Sequence, residues 1–153
     1  MTRPTLLGIC GALRAGSTNR RLLAEARRHY GPAAWEEADL RLPLYDGDVE
    51  RAAIPPEVSR LAGQIRSADA VVIATPEYNK APPGVLKNAL DWVSRVPGAV
   101  WRDRPVAIVS AAAGRAGGER AQYALRLWLM PFRARVLPGP EVLVADAANA
   151  FAE

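Results

Sequence analysis

The feature that most constrains the fold is an unbroken apolar run, Ala70-Val71-Val72-Ile73-Ala74-Thr75, near the middle of the chain. A strand with one face in water alternates apolar and polar residues, whereas this run has no polar residue before Thr75. It is typical of a strand buried on both faces of a parallel sheet. Because parallel strands need crossover connections, which are usually helices, the run predicts a chain that alternates strands and helices.

The rest of the sequence has this alternation. Strand-like runs are predicted at residues 5–10, 33–38, 70–75 and 106–110, with a fifth strand position made of two short pieces, 135–137 and 141–144. Helical spacing of apolar residues predicts helices at 19–30, 56–67, 84–95 and 119–130. Residues 39–48 are expected to be an irregular connection with a turn at Asp46-Gly47. This order predicts an α/β fold, a doubly wound parallel sheet with helices on both faces, in a single domain over residues 1–153.

Composition excludes several classes of protein. Half of the 153 residues are hydrophobic, so disorder is not expected. The net charge is +4, but the basic residues are scattered, so no nucleic-acid partner is predicted. The sequence has no apolar span of membrane length and no signal peptide, and Cys10 is its only cysteine. We therefore expect a cytoplasmic protein that has no membrane partner and no intrachain disulfide.

The stretch that follows the first strand is rich in groups that bind anions. Gly11–Asn19 contains two glycines, a run of hydroxyl and amide side chains, and Arg14. A loop of this kind that opens a helix presents free backbone N–H groups and the positive end of the helix dipole. Gly11 and Gly16 are expected to permit positive φ and close approach of a ligand, and Ser17 to Asn19 to cap the helix or bind phosphate oxygens.

Several interpretations of this loop compete. The spacing Gly11-x-x-x-x-Gly16-Ser17-Thr18 is close to a Walker A loop, but Ser17 stands where that loop has its lysine, which argues against nucleoside triphosphate hydrolysis. A dinucleotide fingerprint fails because Leu13 replaces its second glycine. A cradle for one phosphate, as in FMN proteins, and an ordinary capped turn both remain open.

Two further loops are expected beside the first, because ligands of parallel sheets bind at the carboxyl ends of the strands. The second loop, after Thr75, contains three prolines, and its Tyr78 and Asn79 suit the edge of a flat ring. Glu77 in this loop is a candidate general base, although redox chemistry at a flavin needs none from the protein. The third loop, after Ser110, has small residues that would let its backbone approach a planar ligand.

The motifs resemble those of the NAD(P)H-dependent FMN reductase family, which includes chromate, quinone and azo-dye reductases. Gly11-Ala12-Leu13-Arg14-Ala15-Gly16-Ser17-Thr18-Asn19 is similar to its phosphate loop G-S-L-R-x-x-S-x-N, and Thr75-Pro76-Glu77-Tyr78-Asn79 to its T-P-E-Y-N loop. Residues 85–92 are similar to the helix that follows that loop, and Pro43-Leu44-Tyr45-Asp46 to the P-L-Y-D segment. Gly117-Gly118 and the residues after them also fit, so the resemblance runs from about residue 5 to 144.

The resemblance implies a flavodoxin-like five-stranded sheet of order 2-1-3-4-5 and a cytoplasmic FMN enzyme. Hydride would pass from NAD(P)H to the flavin, and two electrons would pass on to a quinone or another small acceptor in a ping-pong scheme. No catalytic side chain and no metal are implied, and a homodimer or homotetramer is expected. The implied cofactor-binding residues are Ala12, Leu13, Arg14, Ser17, Thr18, Asn19, Pro76, Glu77, Tyr78, Asn79, Ser110, Ala111 and Gly114.

Two departures from the family pattern keep other functions open. Alanines stand at position 12 and at 111–113, where the family often has residues with a hydroxyl side chain. Weaker FMN binding is therefore expected. Nine residues follow Val144, so the final helix is expected to be short or absent, with a partner subunit or the first helix covering that sheet face. The alternatives are a flavodoxin-like electron carrier and a cofactor-poor, non-catalytic binding partner.

Overall fold

The apolar run at the centre of the sequence is the central strand of a parallel sheet. In a computed structural model, which describes residues 3–151, Ala70–Thr75 pairs on one side with Thr5–Cys10 and on the other with Pro105–Ala111. Neighbours on both sides leave its edges fully paired, and Val71 and Ile73 are buried. The predicted fold class is therefore confirmed, since the sheet is parallel throughout and the strands alternate with helices.

The strand order also agrees with the expectation. The strands are β1 Thr5–Cys10, β2 Ala34–Ala38, β3 Ala70–Thr75, β4 Pro105–Ala111, β5 Arg135–Val136 and β6 Val142–Val144. The helices are α1 Thr18–Tyr30, α2 Gly47–Ala52, α3 Pro56–Ser67, α4 Gly84–Val93, α5 Glu119–Leu129 and α6 Ala147–Ala150. The order β2-β1-β3-β4-β5 is that of a flavodoxin-like sheet.

The fifth strand position is divided, as the sequence predicts. β5 pairs with the start of β4 at Pro105 and Val106, whereas β6 pairs with its end at Val109 to Ala111. Both pairings are parallel, so β6 continues the line that β5 begins. This arrangement brings the residues after β6 to the carboxyl end of the sheet, where ligands of such folds bind.

Helices cover both faces of the sheet. Buried side chains of α3, α4 and α5, including Leu61, Leu90 and Leu125, pack on one face in a common cluster. On the other face, Leu23 of α1 and Ala147 of α6 pack on the inner strands. A Leu side chain that becomes fully buried contributes about 1.5–3 kcal/mol, so these clusters are the main source of stability. In residues 3–151, no helix is long and apolar enough to cross a membrane.

One helix, α2, was not predicted. The expected turn at Asp46-Gly47 is instead the start of this helix, because Asp46 Oδ1 accepts a hydrogen bond from Asp48 N at 2.8 Å and caps it. None of the α2 residues is buried. A helix without a buried face has no apolar period, so periodicity could not reveal it.

The segment before α2 is held firmly against α4. Asn88 accepts from Tyr45 N at 2.8 Å and donates to Pro43 O at 2.9 Å, and Trp92 Nε1 also donates to Pro43 O at 2.8 Å. The rings of Tyr45 and Trp92 meet edge to face, with centroids 5.1 Å apart. Two separate sequence motifs are thus one structural unit, which leaves Leu44 82% exposed between its anchored neighbours.

Candidate active site

A cavity of about 280 Å³ lies where the carboxyl ends of β1, β3 and β4 meet. Its walls are formed by the three loops that the sequence singles out and by the start of α6. Size alone does not identify it, because a cavity of about 450 Å³ beside Tyr123 and Leu127 is larger. Its position at the strand ends identifies it as the candidate site, since parallel sheets bind their ligands there.

The first loop ends in a capped helix start. Ser17 is the N-cap of α1, and its Oγ accepts a hydrogen bond from Asn19 N at 3.2 Å. The helix begins at Thr18, one residue before the predicted start. Within residues 3–151, the N–H groups of Arg14, Ala15, Gly16 and Thr18 donate to no protein acceptor. Free N–H groups at the positive end of a helix suit the phosphate of FMN.

Arg14 adds an exposed positive charge to the wall of the cavity. Its side chain is exposed, and Nη1 donates to Gly16 O at 2.7 Å, within its own loop. No carboxylate in residues 3–151 forms an ion pair with it, so the guanidinium is available to an anionic ligand. A phosphate would gain a charge-assisted hydrogen bond from this group in addition to those from the backbone.

The positive φ expected at the two loop glycines is wrong. Neither Gly11 nor Gly16 has positive φ. A Cβ at Gly11 would lie 2.9 Å from Leu86 Cδ1 and 3.0 Å from Pro76 Cδ, so glycine there allows the first loop to pack against the second loop and α4. The backbone of the phosphate loop therefore needs no left-handed residue.

Asn19 lines the cavity but is already engaged with the protein. Its Nδ2 donates to Ala111 O at 2.9 Å and its Oδ1 accepts from Ala111 N at 3.0 Å. The side chain is 2% exposed. A carboxamide has two donor hydrogens, so one Nδ2–H is left for a ligand. The main contribution of Asn19 is to join the start of α1 to the end of β4.

The second loop is stiff. Tyr78 and Ala81 exchange two backbone hydrogen bonds of 2.9 and 3.1 Å, and the residues between them, Asn79 and Lys80, have φ of 52° and 65°. Two left-handed residues in a row are the geometry of a type I′ turn, which favours Asn at its first central position. Pro76, Glu77 and Tyr78 line the cavity, whereas Asn79 lies outside its lining at the tip of the turn.

The third loop is held from below by buried polar groups. Residues 111–113 line the cavity. Ser110 lies beneath them and is fully buried, with Oγ donating to Gly117 O at 2.5 Å and accepting from Gln122 Nε2 at 2.9 Å. Gly118 has φ of 92°, and a Cβ there would lie 2.8 Å from Ser110 Cβ. The return of this loop into α5 thus requires glycine.

Besides Asn79, four predicted residues lie off the cavity wall. Ala12 is buried in the core beneath α1, Ser110 is beneath the third loop, Gly114 is exposed with open space around it, and Leu13 faces a separate groove beside Leu42. Because Ala12 is a core residue, the alanine at this position does not remove a group from the cavity lining. Of the alanines that depart from the family pattern, only those at 111–113 line the cavity.

Two residues of the wall, Ala147 and Ala148 of α6, were not predicted from the sequence. Ala112 N donates to Val144 O at 3.0 Å and Ala147 N donates to Ala112 O at 3.1 Å, so the third loop and the segment after β6 are bonded to each other. Alanines contribute only backbone and a small surface, and no motif marks them. Only the pairing of β6 with β4 brings them to the site.

Comparisons with known proteins agree with this geometry. The sequence model of the NADPH-dependent FMN reductase family matches residues 4–149. An NAD(P)H-dependent FMN reductase of Pseudomonas aeruginosa is 48% identical over 148 residues, which are 95% of this chain and 80% of that protein. A quinone reductase of Escherichia coli K12 is 44% identical over 140 residues, which are 88% of this chain and 74% of that protein.

A solved structure shows the same similarity. The flavoenzyme NAD(P)H:(acceptor) oxidoreductase FerB from Paracoccus denitrificans matches with a TM-score of 0.86 and 32% identity, over 92% of this chain and 79% of that chain. The resemblance carried by the phosphate loop and the T-P-E-Y-N loop is thereby confirmed, together with the expected cofactors, FMN and NAD(P)H. The chain belongs to the NADPH-dependent FMN reductase family.

Proposed function

We propose that the protein is an FMN-dependent oxidoreductase that passes two electrons from NAD(P)H to quinone-like or other small acceptors, with residues 1–153 forming one FMN-binding domain. The observation that carries this proposal is the group of free N–H donors at the start of α1, next to the unpaired Arg14. They lie at the end of a cavity whose other walls, apart from Asn19 and Glu77, are formed by alanines, a proline and a tyrosine. This combination suits a ligand with an anionic phosphate at one end and a flat ring at the other.

Each of the three loops would bind a different part of FMN. Ser17, Thr18 and the backbone of residues 14–16 would bind the phosphate, with Arg14 closing over it. The stiff second loop and the third loop would face the ring, and the backbone N–H groups of Glu77 and Ala113 have no protein acceptor within residues 3–151. When bound, FMN supplies the redox chemistry itself by exchanging hydride and electrons with the two substrates.

The two substrates would use one opening in turn. Arg14 and Tyr78 are exposed at the rim, and Tyr78 is 51% exposed, so the cavity opens to solvent between them. Use of the same cavity by both substrates would give a ping-pong scheme, in which NAD(P)H gives up a hydride and leaves as NAD(P)+ before the acceptor binds. The side chains of the wall would position both substrates, and no protein general base is required.

We further propose a homodimer or homotetramer. The exposed Leu44 is held rigidly by its neighbours, and Val49 close by in the sequence is 40% exposed. Contiguous exposed apolar patches mark protein interfaces, and we propose that Leu44 and Val49 contribute to one. Light scattering of the purified protein tests this, and a monomer at all concentrations would contradict it.

The decisive experiment is a visible absorption spectrum of the purified protein before and after FMN is added and the excess removed. A retained flavin spectrum that NADH or NADPH bleaches and a quinone restores is the expected result. Steady-state rates at several concentrations of both substrates should then give parallel double-reciprocal lines. A flavin that is retained but not reduced by either nucleotide would indicate an electron carrier. Failure to retain flavin would indicate a non-catalytic binding partner.

A further inference from the structure

We propose that Glu77 is a positioning residue, which caps α5 and thereby holds the second loop of the FMN pocket at a fixed place relative to the third. The inference rests on the proposed FMN site for its functional meaning. Its structural part concerns only the contact between Glu77 and the start of α5.

The start of α5 has no local side-chain cap. Its N-cap residue is Gly118, which has no side chain, and its φ of 92° is left-handed. The first N–H groups of a helix need acceptors from outside the helix. One such acceptor is Glu77 Oε2, 44 residues earlier in the chain, to which Ala121 N donates at 3.1 Å.

This bond is the interaction that the structure records for the Glu77 carboxylate. Within residues 3–151, Glu77 has no ion-pair partner, although the chain is rich in arginine. A carboxylate at the positive end of a helix is favourably placed. A general base would instead need its oxygen directed to a substrate, and one Glu77 oxygen is already used by the helix.

The bond joins one wall of the pocket to the helix that follows the loop of another wall. Pro76, Glu77 and Tyr78 form one wall, and residues 111–113 belong to the loop that leads through Gly117 and Gly118 into α5. Both sides are stiff. Pro76 restricts the backbone before Glu77, Tyr78 is in the hydrogen-bonded turn, and a Cβ at Gly117 would lie 2.8 Å from Leu143 C. A bond between two stiff segments fixes their separation. That separation determines how well a flat ring would fit between them.

Three variants separate the cap from the charge. Glu77→Gln keeps an acceptor oxygen of the same reach but removes the charge, and Glu77→Met keeps the length and volume but removes the acceptor. Glu119→Ala is the matched control, because it removes a carboxylate from the first turn of the same helix without touching the Glu77 bond. If Glu77→Met does not fold, the wild-type protein still tests the cap, because the Ala121 amide should exchange more slowly than the Arg120 amide, which donates to no protein acceptor within residues 3–151.

The first measurement is hydrogen exchange of the Ala121 amide in the flavin-free protein. We expect exchange at least about tenfold faster in Glu77→Met, and near wild-type exchange in Glu77→Gln and Glu119→Ala. The second is FMN affinity by fluorescence quenching, where Glu77→Met should bind about tenfold more weakly and Glu77→Gln should recover most of the loss.

The outcomes distinguish this proposal from the proposed function. If wild type does not bind FMN, the proposed function fails, while the exchange measurement still decides whether Glu77 caps α5. If wild type binds FMN and Glu77→Met matches it in both measurements, the positioning role is refuted. If Glu77→Gln is as impaired as Glu77→Met, the charge itself is needed, which also refutes the cap.

Discussion

Asn19 and Ala111, which are 92 residues apart in sequence, exchange two hydrogen bonds beneath the candidate FMN pocket. The Asn19 carboxamide satisfies both backbone groups of Ala111, the last residue of β4. It does so from the first turn of α1, whose free N–H groups are the proposed phosphate site. The proposed phosphate end and ring end of the pocket are therefore joined through the Asn19 side chain, and a change at Asn19 should affect both.

Replacing Asn19 with Ala should destabilise the flavin-free protein. It leaves a buried N–H and a buried C=O of Ala111 without partners, at a cost of about 2–4 kcal/mol in the free energy of unfolding. Urea denaturation measures this. Thr18→Ala is the control, because the Thr18 side chain makes no hydrogen bond within residues 3–151, and it should change stability by less than about 0.5 kcal/mol. Equal stability of the two variants would show that the Asn19 bonds are unimportant.

Replacing Arg14 with Ala should weaken FMN binding and leave the stability of the protein almost unchanged. The guanidinium is exposed and bonded only to its own loop, so unfolding should be almost unchanged. The affinity for FMN should fall about 10- to 100-fold, the value of a hydrogen bond to a charged group, and should become less sensitive to salt. Titration of FMN fluorescence measures both effects. Arg115→Ala, an exposed arginine of the third loop, serves as the control, and similar losses in both variants would contradict the assignment of the phosphate to Arg14.

Two glycines of the third loop should respond very differently to alanine. Gly118→Ala places a Cβ against Ser110 and forces a side chain into the left-handed region, so it should cost about 2 kcal/mol or more. Gly114→Ala meets open space and should be neutral or slightly stabilising. Thermal unfolding of the pair provides the comparison. A mild effect at Gly118 would mean that the loop can take another path.

The contact between Tyr45 and Glu50 should depend on pH. Tyr45 OH donates to Glu50 Oε2 at 2.7 Å and Arg95 Nε donates to Glu50 Oε1 at 2.9 Å. The bond from Tyr45, followed by that from Arg95, lowers the pKa of Glu50, and the bond to Glu50 raises the pKa of Tyr45. The contribution of Glu50 to the stability of the folded protein is present above its ordinary pKa and is lost as pH falls through the lowered value. That of Tyr45 is present below its ordinary pKa and is lost as pH rises through the raised one.

Glu50→Gln should therefore lower the pKa of Tyr45 towards the ordinary value of a tyrosine. An ultraviolet titration of the phenol groups detects the change, and Tyr45→Phe identifies which step belongs to Tyr45. Tyr123 also has a raised pKa, caused first by the charge of Glu141, and its step should stay in place. An unchanged profile in Glu50→Gln would rule out the negatively charged carboxylate of Glu50 as the cause.

Much of the fold was predictable because burial leaves a local pattern. The bounds of β1 and β3 are those expected from the apolar runs, and α3 has its predicted ends. α2 was missed because its residues are all at the surface, where no period is selected. The φ of Gly11 was predicted wrongly because its environment is made by Leu86 and Pro76, which are distant in sequence.

The sequence by itself determined the class of the fold, the three loops of the site and the family, because apolar periods and short motifs are properties of neighbouring residues. Only the tertiary structure decided which residues hold those loops together. Asn19 meets Ala111, Glu77 meets Ala121, and Ala147 joins the wall of the pocket because the strand order places them side by side. Hydrogen bonds act over about 3 Å, so their partners are set by which strands are neighbours and not by distance along the chain.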